Sequence, residues 1–259
     1  MSNVLAVQLD IVWEDKAANH RKVRQLLEQA KPAAGSLVVL PEMFATGFSM
    51  RAAAMSDTAS QETQRFLAET AETFGVYLAG GVINDGKRDG KAGLGRNECV
   101  VFDPRGREVA RYCKLHPFTY GGETAHYEAG EQVVLFDWAG FKVAPFICYD
   151  LRFPESFRAA TQAGADLILV MANWPVTRVL HWDVLLHARA IENQAYVVGV
   201  NRCGDDPTLR YSGSSRIISP RGEVLLAAGV AEGVIQTELS LADLQEYRRA
   251  LPFLADMKL

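Results

Sequence analysis

Cysteine is scarce in this sequence, and long apolar runs are missing from it. The four cysteines are Cys99, Cys113, Cys148 and Cys203, and no two of them form a CxxC pair. This usage argues against a disulfide framework and against a zinc site. No apolar run approaches the ~20 residues that span a bilayer, and the N-terminal segment lacks a basic leader and a small-residue cleavage site. We therefore expect a cytoplasmic protein with no membrane contact.

An excess of basic residues is also missing. Lysine and arginine number 27 against 31 aspartates and glutamates, so the net charge is -4 and no basic patch stands out. A nucleic-acid partner is therefore not expected. The composition is 49% hydrophobic, which supports a large core. With no repeat, low-complexity tract or linker, we expect residues 1–259 to form one domain.

Strand-like and helix-like patterns alternate along the chain. Short apolar runs rich in β-branched residues are bounded by Gly, Pro, Asn or Asp, which predicts strands. Apolar residues at a spacing of three to four predict helices. The predicted helices are residues 17–30, 62–74, 155–163, 182–195 and 241–249. Short turns join other strand pairs, so the mixture predicts an α/β fold with mixed sheets covered by helices.

Three reactive side chains each follow a predicted strand. Glu42 follows residues 37–41, Lys114 follows residues 108–113, and Cys148 follows residues 143–147. Loops that leave strand ends commonly carry catalytic groups. We therefore predict that the three converge on a water-poor pocket, with a thiol nucleophile, a carboxylate proton carrier and an ammonium that stabilises negative charge. Poor solvation is expected to raise the pKa of Glu42.

Each of these residues also has an ordinary interpretation. Cys148 alone could be a core thiol, Glu42 a surface carboxylate and Lys114 a solvated cation, so only the three together are informative. The segment after Cys148 predicts a tight turn and then a helix whose first turn holds Pro154 and Glu155. The thiol would then lie near a helix N-terminus. A helix end, a cation or an adjacent base could help it lose its proton.

Histidines raise two alternative sites, a Cys–His dyad and a metal centre. The histidines considered are His116, His126, His181 and His187. His181 and His187 are six residues apart, which does not place them on one helix face, and no third ligand is suggested by spacing. We expect no bound metal. The dyad stays open, because spacing alone does not exclude a base within hydrogen-bond reach.

Several segments resemble the nitrilase superfamily of carbon–nitrogen hydrolases, and among its branches most closely the ω-amidases. They are LVVLPEMFATGF, RYCKLHPF, FICYDLRFPE, MANWP and HARAIENQAYVVGVNRCG. The resemblance runs from about residue 4 to about residue 239. It implies a four-layer αββα sandwich that forms homodimers. The helix after MANWP and the C-terminal tail, from about residue 240, are then expected to pack on the subunit or at its dimer interface.

The resemblance also implies a role for each reactive side chain. Glu42 would act as general base and then acid, Lys114 would stabilise the oxyanion, and Cys148 would form a thioester. A second glutamate would support the lysine, and Glu123 matches it by lying seven residues before Gly130. Glu128 and Glu131 are the alternatives for this second glutamate. No cofactor is implied.

The substrates implied by the resemblance are the terminal amides of 2-oxoglutaramate and 2-oxosuccinamate. The backbone N–H of Tyr149 would assist the oxyanion. The candidate pocket residues are Phe44, Phe118, Tyr149, Asn173 and Trp174, for which ordinary packing is the alternative.

The alternative functions are an amidase for deaminated glutathione or N-carbamoyl compounds, a true nitrilase, and a binding protein without chemistry on the same fold.

Overall fold

A computed structural model of the chain describes residues 2–86 and 93–258. The strands in this part are β1 (Ser2–Gln8), β2 (Leu37–Val39), β3 (Tyr77–Asp85), β4 (Gly95–Phe102), β5 (Glu108–Cys113), β6 (Phe136–Trp138), β7 (Phe141–Ile147), β8 (Leu167–Ala172), β9 (Tyr196–Asn201), β10 (Cys203–Asp205), β11 (Arg210–Ser212), β12 (Arg216–Ile218), β13 (Val224–Ala227) and β14 (Gly233–Leu239). The α-helices are α1 (Lys16–Ala30), α2 (Ala52–Met55), α3 (Glu62–Phe74), α4 (Pro154–Gln162), α5 (Val179–Asn193) and α6 (Leu241–Ala250).

Two six-stranded mixed sheets and one small hairpin organise these strands. The first sheet has the order β14-β1-β2-β3-β4-β5, and the second has the order β13-β12-β9-β8-β7-β6. In each sheet three parallel strands lie at the centre, namely β1, β2 and β3 in the first and β7, β8 and β9 in the second. Antiparallel neighbours flank both triplets. Strands β10 and β11 form a separate two-stranded sheet, and a single bridge joins Cys203 of β10 to Asp10.

The two sheets pack face to face, and helices cover their outer faces. Residues of both sheets, such as Val101 and Phe146, share one buried cluster that continues to Phe157 of α4 and Leu186 of α5. A second cluster joins the first sheet to α1 and α3. Strand β8 is buried along its whole length, as expected of a central parallel strand with helices on one side and a sheet on the other. The layers therefore follow the predicted αββα order.

The predicted helices are confirmed, with small shifts at their ends. Helix α1 begins at Lys16 because the Asp15 side chain accepts a hydrogen bond from the backbone N–H of Ala18. Helix α5 begins earlier than predicted, at Val179, and ends at Asn193, since Gln194 adopts a left-handed conformation with a φ of 43°. The apolar run at residues 133–136 predicts a further strand, and the structure places this strand, β6, at Phe136–Trp138 instead.

The C-terminal helix α6 packs on its own subunit. Arg248 donates to Asp166 Oδ1 at 2.7 Å and to the backbone oxygen of Gln194 at 2.9 Å. Leu244 of the same helix is buried. Phe253, which follows the helix, is 56% exposed. Across the described residues, no helix combines the length and the apolar character that crossing a membrane requires.

Candidate active site

Glu42 is buried just beyond the end of β2. Its side chain has no solvent exposure. A glycine makes this position possible, because a Cβ added to Gly81 of β3 would lie 2.3 Å from the backbone nitrogen of Met43 and 2.8 Å from Glu42 Cα. Contacts that short do not occur, so Gly81 lets the main chain carrying Glu42 lie directly against β3.

Both oxygens of the Glu42 carboxylate accept hydrogen bonds. Oε1 accepts from Lys114 Nζ at 2.9 Å and from Asn97 Nδ2 at 2.8 Å. Oε2 accepts from the backbone N–H of Asn173 at 2.9 Å. The Asn173 side chain also donates to the backbone oxygen of Glu42 at 2.7 Å. Three separate parts of the chain therefore hold one carboxylate in a single orientation.

Lys114 bridges two buried carboxylates. Its Nζ lies 2.9 Å from Glu42 Oε1 and 2.8 Å from Glu123 Oε2, and all three side chains are inaccessible to solvent. Asn97 Nδ2 also donates to Glu123 Oε1 at 3.0 Å. Of the candidates for the second glutamate, Glu123 is therefore the one beside the lysine, whereas Glu128 lies 3.4 Å from Arg96.

The expected rise in the pKa of Glu42 is wrong in direction. Burial does push this pKa upward, but the charge of Lys114 and the hydrogen bonds from Lys114, Asn97 and Asn173 outweigh burial, so the pKa is lowered. Burial acts in the opposite sense on Lys114, yet the charges of Glu123 and Glu42 raise the pKa of its ammonium. The resting site thus holds an ionised carboxylate and a charged lysine.

Cys148 occupies a strained turn that follows β7. Its φ is 47°, in the left-handed region that costs a non-glycine residue about 1–3 kcal/mol. Asp150 braces the turn, since its Oδ2 accepts from the backbone N–H of Ile147 at 3.0 Å and from the Tyr112 hydroxyl at 2.6 Å. Its Oδ1 accepts from the backbone N–H of His116 at 2.9 Å. Asp150 therefore connects the nucleophile turn to the strand that leads into Lys114.

The Cys148 thiol is neutral at rest. Burial and the negative charge of Glu42 raise its pKa well above the ordinary value, and the charge of Lys114 opposes them only in part. The predicted helix with Pro154 and Glu155 in its first turn is present as α4, and a 3-10 turn over Cys148–Arg152 lies between the cysteine and this helix. Sγ lies 4.0 Å from the backbone oxygen of Asn173, the residue whose N–H holds Glu42. An adjacent base is thus the aid to deprotonation that the geometry offers.

A cleft with an empty volume of about 420 Å³ is lined by Cys148, a residue that is partly exposed. Four of the predicted pocket residues line it: Phe118, Tyr149, Asn173 and Trp174. Phe44 does not. It is fully buried in the cluster between the first sheet and helices α1 and α3, where it packs against Phe66. For Phe44 the packing alternative is the correct one.

Two arginines that the sequence analysis did not single out also line the cleft. Arg152 lies 4.8 Å from the centroid of the Trp174 ring, and Arg178 lies 5.6 Å from that of Phe118. No aspartate or glutamate lines this cleft in the described part of the chain. Arg152 lies four residues after Cys148, inside the FICYDLRFPE segment, so its position near the thiol could have been predicted from the sequence. Arg178 carried no such signal.

Asn97 is a further residue that sequence reasoning missed. It lies within β4, and its amide donates to both Glu42 and Glu123. Nothing in the local sequence separates this asparagine from any other strand residue. Only the pairing of β4 with β3 and β5 turns it toward the two carboxylates.

The histidines have other partners. His116 Nδ1 lies 2.9 Å from Asp150, and His181 Nδ1 lies 3.2 Å from Arg152. Among residues 2–86 and 93–258, no histidine is hydrogen-bonded to Cys148, and no group of three or more His, Cys, Asp or Glu side chains could hold a metal ion.

The chain is similar to known proteins along nearly its whole length. The family model for carbon-nitrogen hydrolases matches residues 3–249. The chain is 40% identical over 251 residues to omega-amidase YafV of Escherichia coli K12. The aligned region covers 96% of this chain and 94% of that protein. It is 32% identical to the 2-oxoglutaramate amidase of Bacillus subtilis, with 98% and 97% covered.

The fold has solved counterparts. XC1258 of Xanthomonas campestris, a CN-hydrolase superfamily protein with an arsenic adduct in its active site, is 33% identical with a TM-score of 0.91, covering 100% of this chain and 97% of that one. Saccharomyces cerevisiae Nit3, of the nitrilase superfamily, is 27% identical with a TM-score of 0.86, covering 97% and 94%. The predicted fold and the resemblance are confirmed. The chain therefore belongs to the carbon–nitrogen hydrolase family.

Proposed function

We propose that the protein is an ω-amidase, which hydrolyses the terminal amide of short dicarboxylate monoamides such as 2-oxoglutaramate and 2-oxosuccinamate. One observation carries the proposal. A cleft lined by a thiol and two arginines, Arg152 and Arg178, lies against a buried Glu42–Lys114–Glu123 cluster. The thiol and cluster suit attack on an amide, and the arginines suit a substrate that carries a carboxylate at its other end.

In the first step, Glu42 takes the proton of Cys148 as the sulfur attacks the amide carbonyl. Loss of that proton to solvent would add a negative charge beside two carboxylates that share one lysine. Transfer to Glu42 leaves the net charge of the site unchanged, so the buried carboxylate is the favoured acceptor. The carbonyl oxygen becomes an oxyanion, which Lys114 and the backbone N–H of Tyr149 stabilise.

In the second step, the C–N bond breaks and a thioester forms on Cys148. Glu42 returns its proton to the leaving nitrogen, which departs as ammonia. A water molecule then attacks the thioester. Glu42 accepts a proton from this water and passes it to the departing sulfur, so the free thiol and the carboxylic acid product are released. Glu123 holds Lys114 in place during both steps.

Charge and size support the substrate class. An arginine and a carboxylate form strong charge-assisted hydrogen bonds, often through two donors. The remaining walls are largely aromatic, among them Phe118, Tyr149 and Trp174, and they border about 420 Å³ of space that is partly open to solvent. A short acyl chain with one charged end fits such a cleft. Relatives named ω-amidase and 2-oxoglutaramate amidase support the same class.

A substrate panel tests the proposal. Ammonia release is measured with succinamate and glutaramate, which are stable four- and five-carbon monoamides, and with deaminated glutathione and an N-carbamoyl amino acid. We expect kcat/KM to be highest for the two monoamides. A higher value for either of the other compounds would assign the protein to another branch. The absence of turnover on the entire panel would favour a binding protein.

Arginine variants test the reason for this preference. Replacement of Arg178 or Arg152 by methionine removes a charge but keeps a long side chain. A hydrogen bond to a charged group contributes about 1.5–3 kcal/mol, so we expect kcat/KM for glutaramate to fall about 10- to 160-fold. Valeramide, which has the same carbon chain without the carboxylate, should be unaffected. An equal loss on both amides would show that the arginines do not bind the carboxylate.

We further propose that residues 1–259 form one domain, which the core shared by both sheets supports. A cytoplasmic location is supported by four unpaired cysteines.

A homodimer is supported by Leu180, Val184 and Ile191, which are exposed on one face of α5. Sedimentation equilibrium should give twice the monomer mass, and Val184→Asp should shift it to the monomer. A wild-type protein that sediments as a monomer would contradict the dimer.

A further inference from the structure

The small hairpin formed by β10 and β11 builds one wall of the cleft. Its strands pair with each other and with neither six-stranded sheet. Leu209 and Tyr211 of the hairpin line the same cleft as Cys148. Part of the cleft wall is thus separate from the sheets that carry the reactive side chains.

Tyr211 is held in place from two directions. Its hydroxyl donates to Asp206 Oδ2 at 2.6 Å. The Arg202 guanidinium lies over its ring, 4.4 Å from the centroid. Only 3% of Tyr211 is exposed. A ring held at both its hydroxyl and its face has little freedom to move aside for a longer substrate.

Asp206 orders the hairpin turn as well as the phenol. Its Oδ1 accepts from the backbone N–H groups of Thr208 and Leu209, each at 2.7 Å. Because one carboxylate holds this turn and Tyr211, the two cleft-lining side chains of the hairpin keep a constant spacing.

Arg202 anchors the hairpin to the body of the protein. It is fully buried, and its Nη2 donates to the backbone oxygens of Asp205 at 2.8 Å and Ile11 at 3.1 Å. Its Nε donates to the backbone oxygen of Cys203 at 3.1 Å. A buried guanidinium is costly without such partners. These contacts join both ends of β10 to the loop before α1.

We propose that Tyr211 and Leu209 set the length of the acyl chain that the cleft accepts, and that Arg202 and Asp206 are positioning residues that hold Tyr211. The inference rests on the proposed ω-amidase function and deepens it. One additional methylene in a closely fitting pocket changes specificity by about 10- to 200-fold. A wall that does not yield would reject longer monoamides by a factor of this size.

A series of monoamides tests the proposal. We measure kcat/KM for succinamate, glutaramate and adipamate, which have four, five and six carbons. For the wild-type protein we expect adipamate to be the poorest substrate. Tyr211→Ala should raise the adipamate-to-glutaramate ratio by at least about 10-fold, and Leu209→Ala should raise it less. Leu209 is 40% exposed, so its variant is expected to fold even if the other does not.

Tyr247 provides a matched control. It is 8% exposed and lies under Arg221 at 4.2 Å, but it belongs to α6 and does not line the cleft. Tyr247→Ala should leave the adipamate-to-glutaramate ratio unchanged. An unchanged ratio in active Tyr211→Ala and Leu209→Ala variants would overturn the inference and leave the ω-amidase proposal intact. A wild-type protein inactive on all three monoamides would overturn both.

The positioning role has its own measurement. Asp206→Ala should raise KM for glutaramate several-fold while kcat stays near the wild-type value, because the reactive side chains are untouched. Tyr211→Phe keeps the ring and its contact with Arg202 but loses the hydrogen bond to Asp206, so the adipamate-to-glutaramate ratio should rise, although by less than in Tyr211→Ala. A loss of kcat at unchanged KM in Asp206→Ala would refute the positioning role.

Discussion

Among the described residues, Lys114 is the one cation within hydrogen-bond reach of both Glu42 and Glu123. Its removal should therefore strongly reduce both stability and activity. Lys114→Met keeps much of the side-chain length but deletes the charge. Breaking a buried ion pair by removing one partner costs about 3–5 kcal/mol. We expect a loss of this size in the free energy of unfolding at neutral pH, together with loss of amidase activity.

The loss should depend on pH in a defined direction. In the wild-type protein the pKa of Glu42 is lowered, so its stabilising contribution is present above the ordinary value of 4.5 and is lost as the pH falls through the lowered value. Without Lys114, burial and the repulsion between two carboxylates raise the pKa of one of them, so that it binds a proton. The stability of the variant should therefore fall as the pH rises.

The size of this pH effect follows from proton linkage. One extra proton bound by the folded state changes the free energy of unfolding by about 1.4 kcal/mol per pH unit. Between pH 5.5 and 7.5, the destabilisation of Lys114→Met relative to wild type should grow by as much as about 2.7 kcal/mol. When the two proteins are compared at each pH, the contributions of the other titrating groups to the pH dependence of stability cancel, because these groups are the same in both.

Urea unfolding at both pH values provides the measurement. Lys142→Met is the matched control, because Lys142 lies 2.7 Å from Asp137 with both side chains at least half exposed. That variant should lose less than about 1 kcal/mol at either pH. Adding Glu123→Gln to Lys114→Met should recover stability without restoring activity. A Lys114→Met protein as stable as the control, or destabilised equally at the two pH values, would refute this reasoning.

Three further predictions concern the nucleophile. Cys148→Ala should fold normally but lose at least about 1,000-fold in kcat, as measured by ammonia release and circular dichroism, whereas retained turnover would exclude the thioester route. Since the charge of Glu42 raises the pKa of Cys148, Glu42→Gln should shift the pH profile of iodoacetamide alkylation to lower pH even though hydrolysis is lost; an upward shift would contradict the electrostatic argument. Tyr112→Phe removes a hydrogen bond to Asp150 and should lower the free energy of unfolding in urea by about 1.5–3 kcal/mol. An unchanged urea midpoint would show that this bond does not brace the turn.

Local pattern was enough to find the reactive groups. Glu42, Lys114 and Cys148 each follow a predicted strand, and side chains at strand ends are placed by the sheet itself. The helices were also predictable, because an amphipathic period of 3.6 residues is encoded in contiguous sequence. Glu123 required a family resemblance, since its distance from Gly130 has no meaning without a known pattern.

Properties that depend on distant neighbours were not predictable. Burial alone gave the wrong direction for the pKa of Glu42, because the donors that lower it, Lys114, Asn97 and Asn173, come from three other parts of the chain. Phe44 follows Glu42 by only two residues, yet it points into the core instead of the cleft. An aromatic residue serves either place equally well, so its type does not reveal its surroundings.

The reactive side chains of this protein are therefore predictable from short sequence segments, because each needs only a strand that ends beside it. The residues that determine substrate specificity are not predictable in this way. Arg178 lies just before α5 and Tyr211 lies in β11, and they line one cleft only after both sheets and the hairpin have assembled. Side chains brought together from such distances leave no periodic signal in the sequence, so the charge and shape of the cleft appear only in the folded chain.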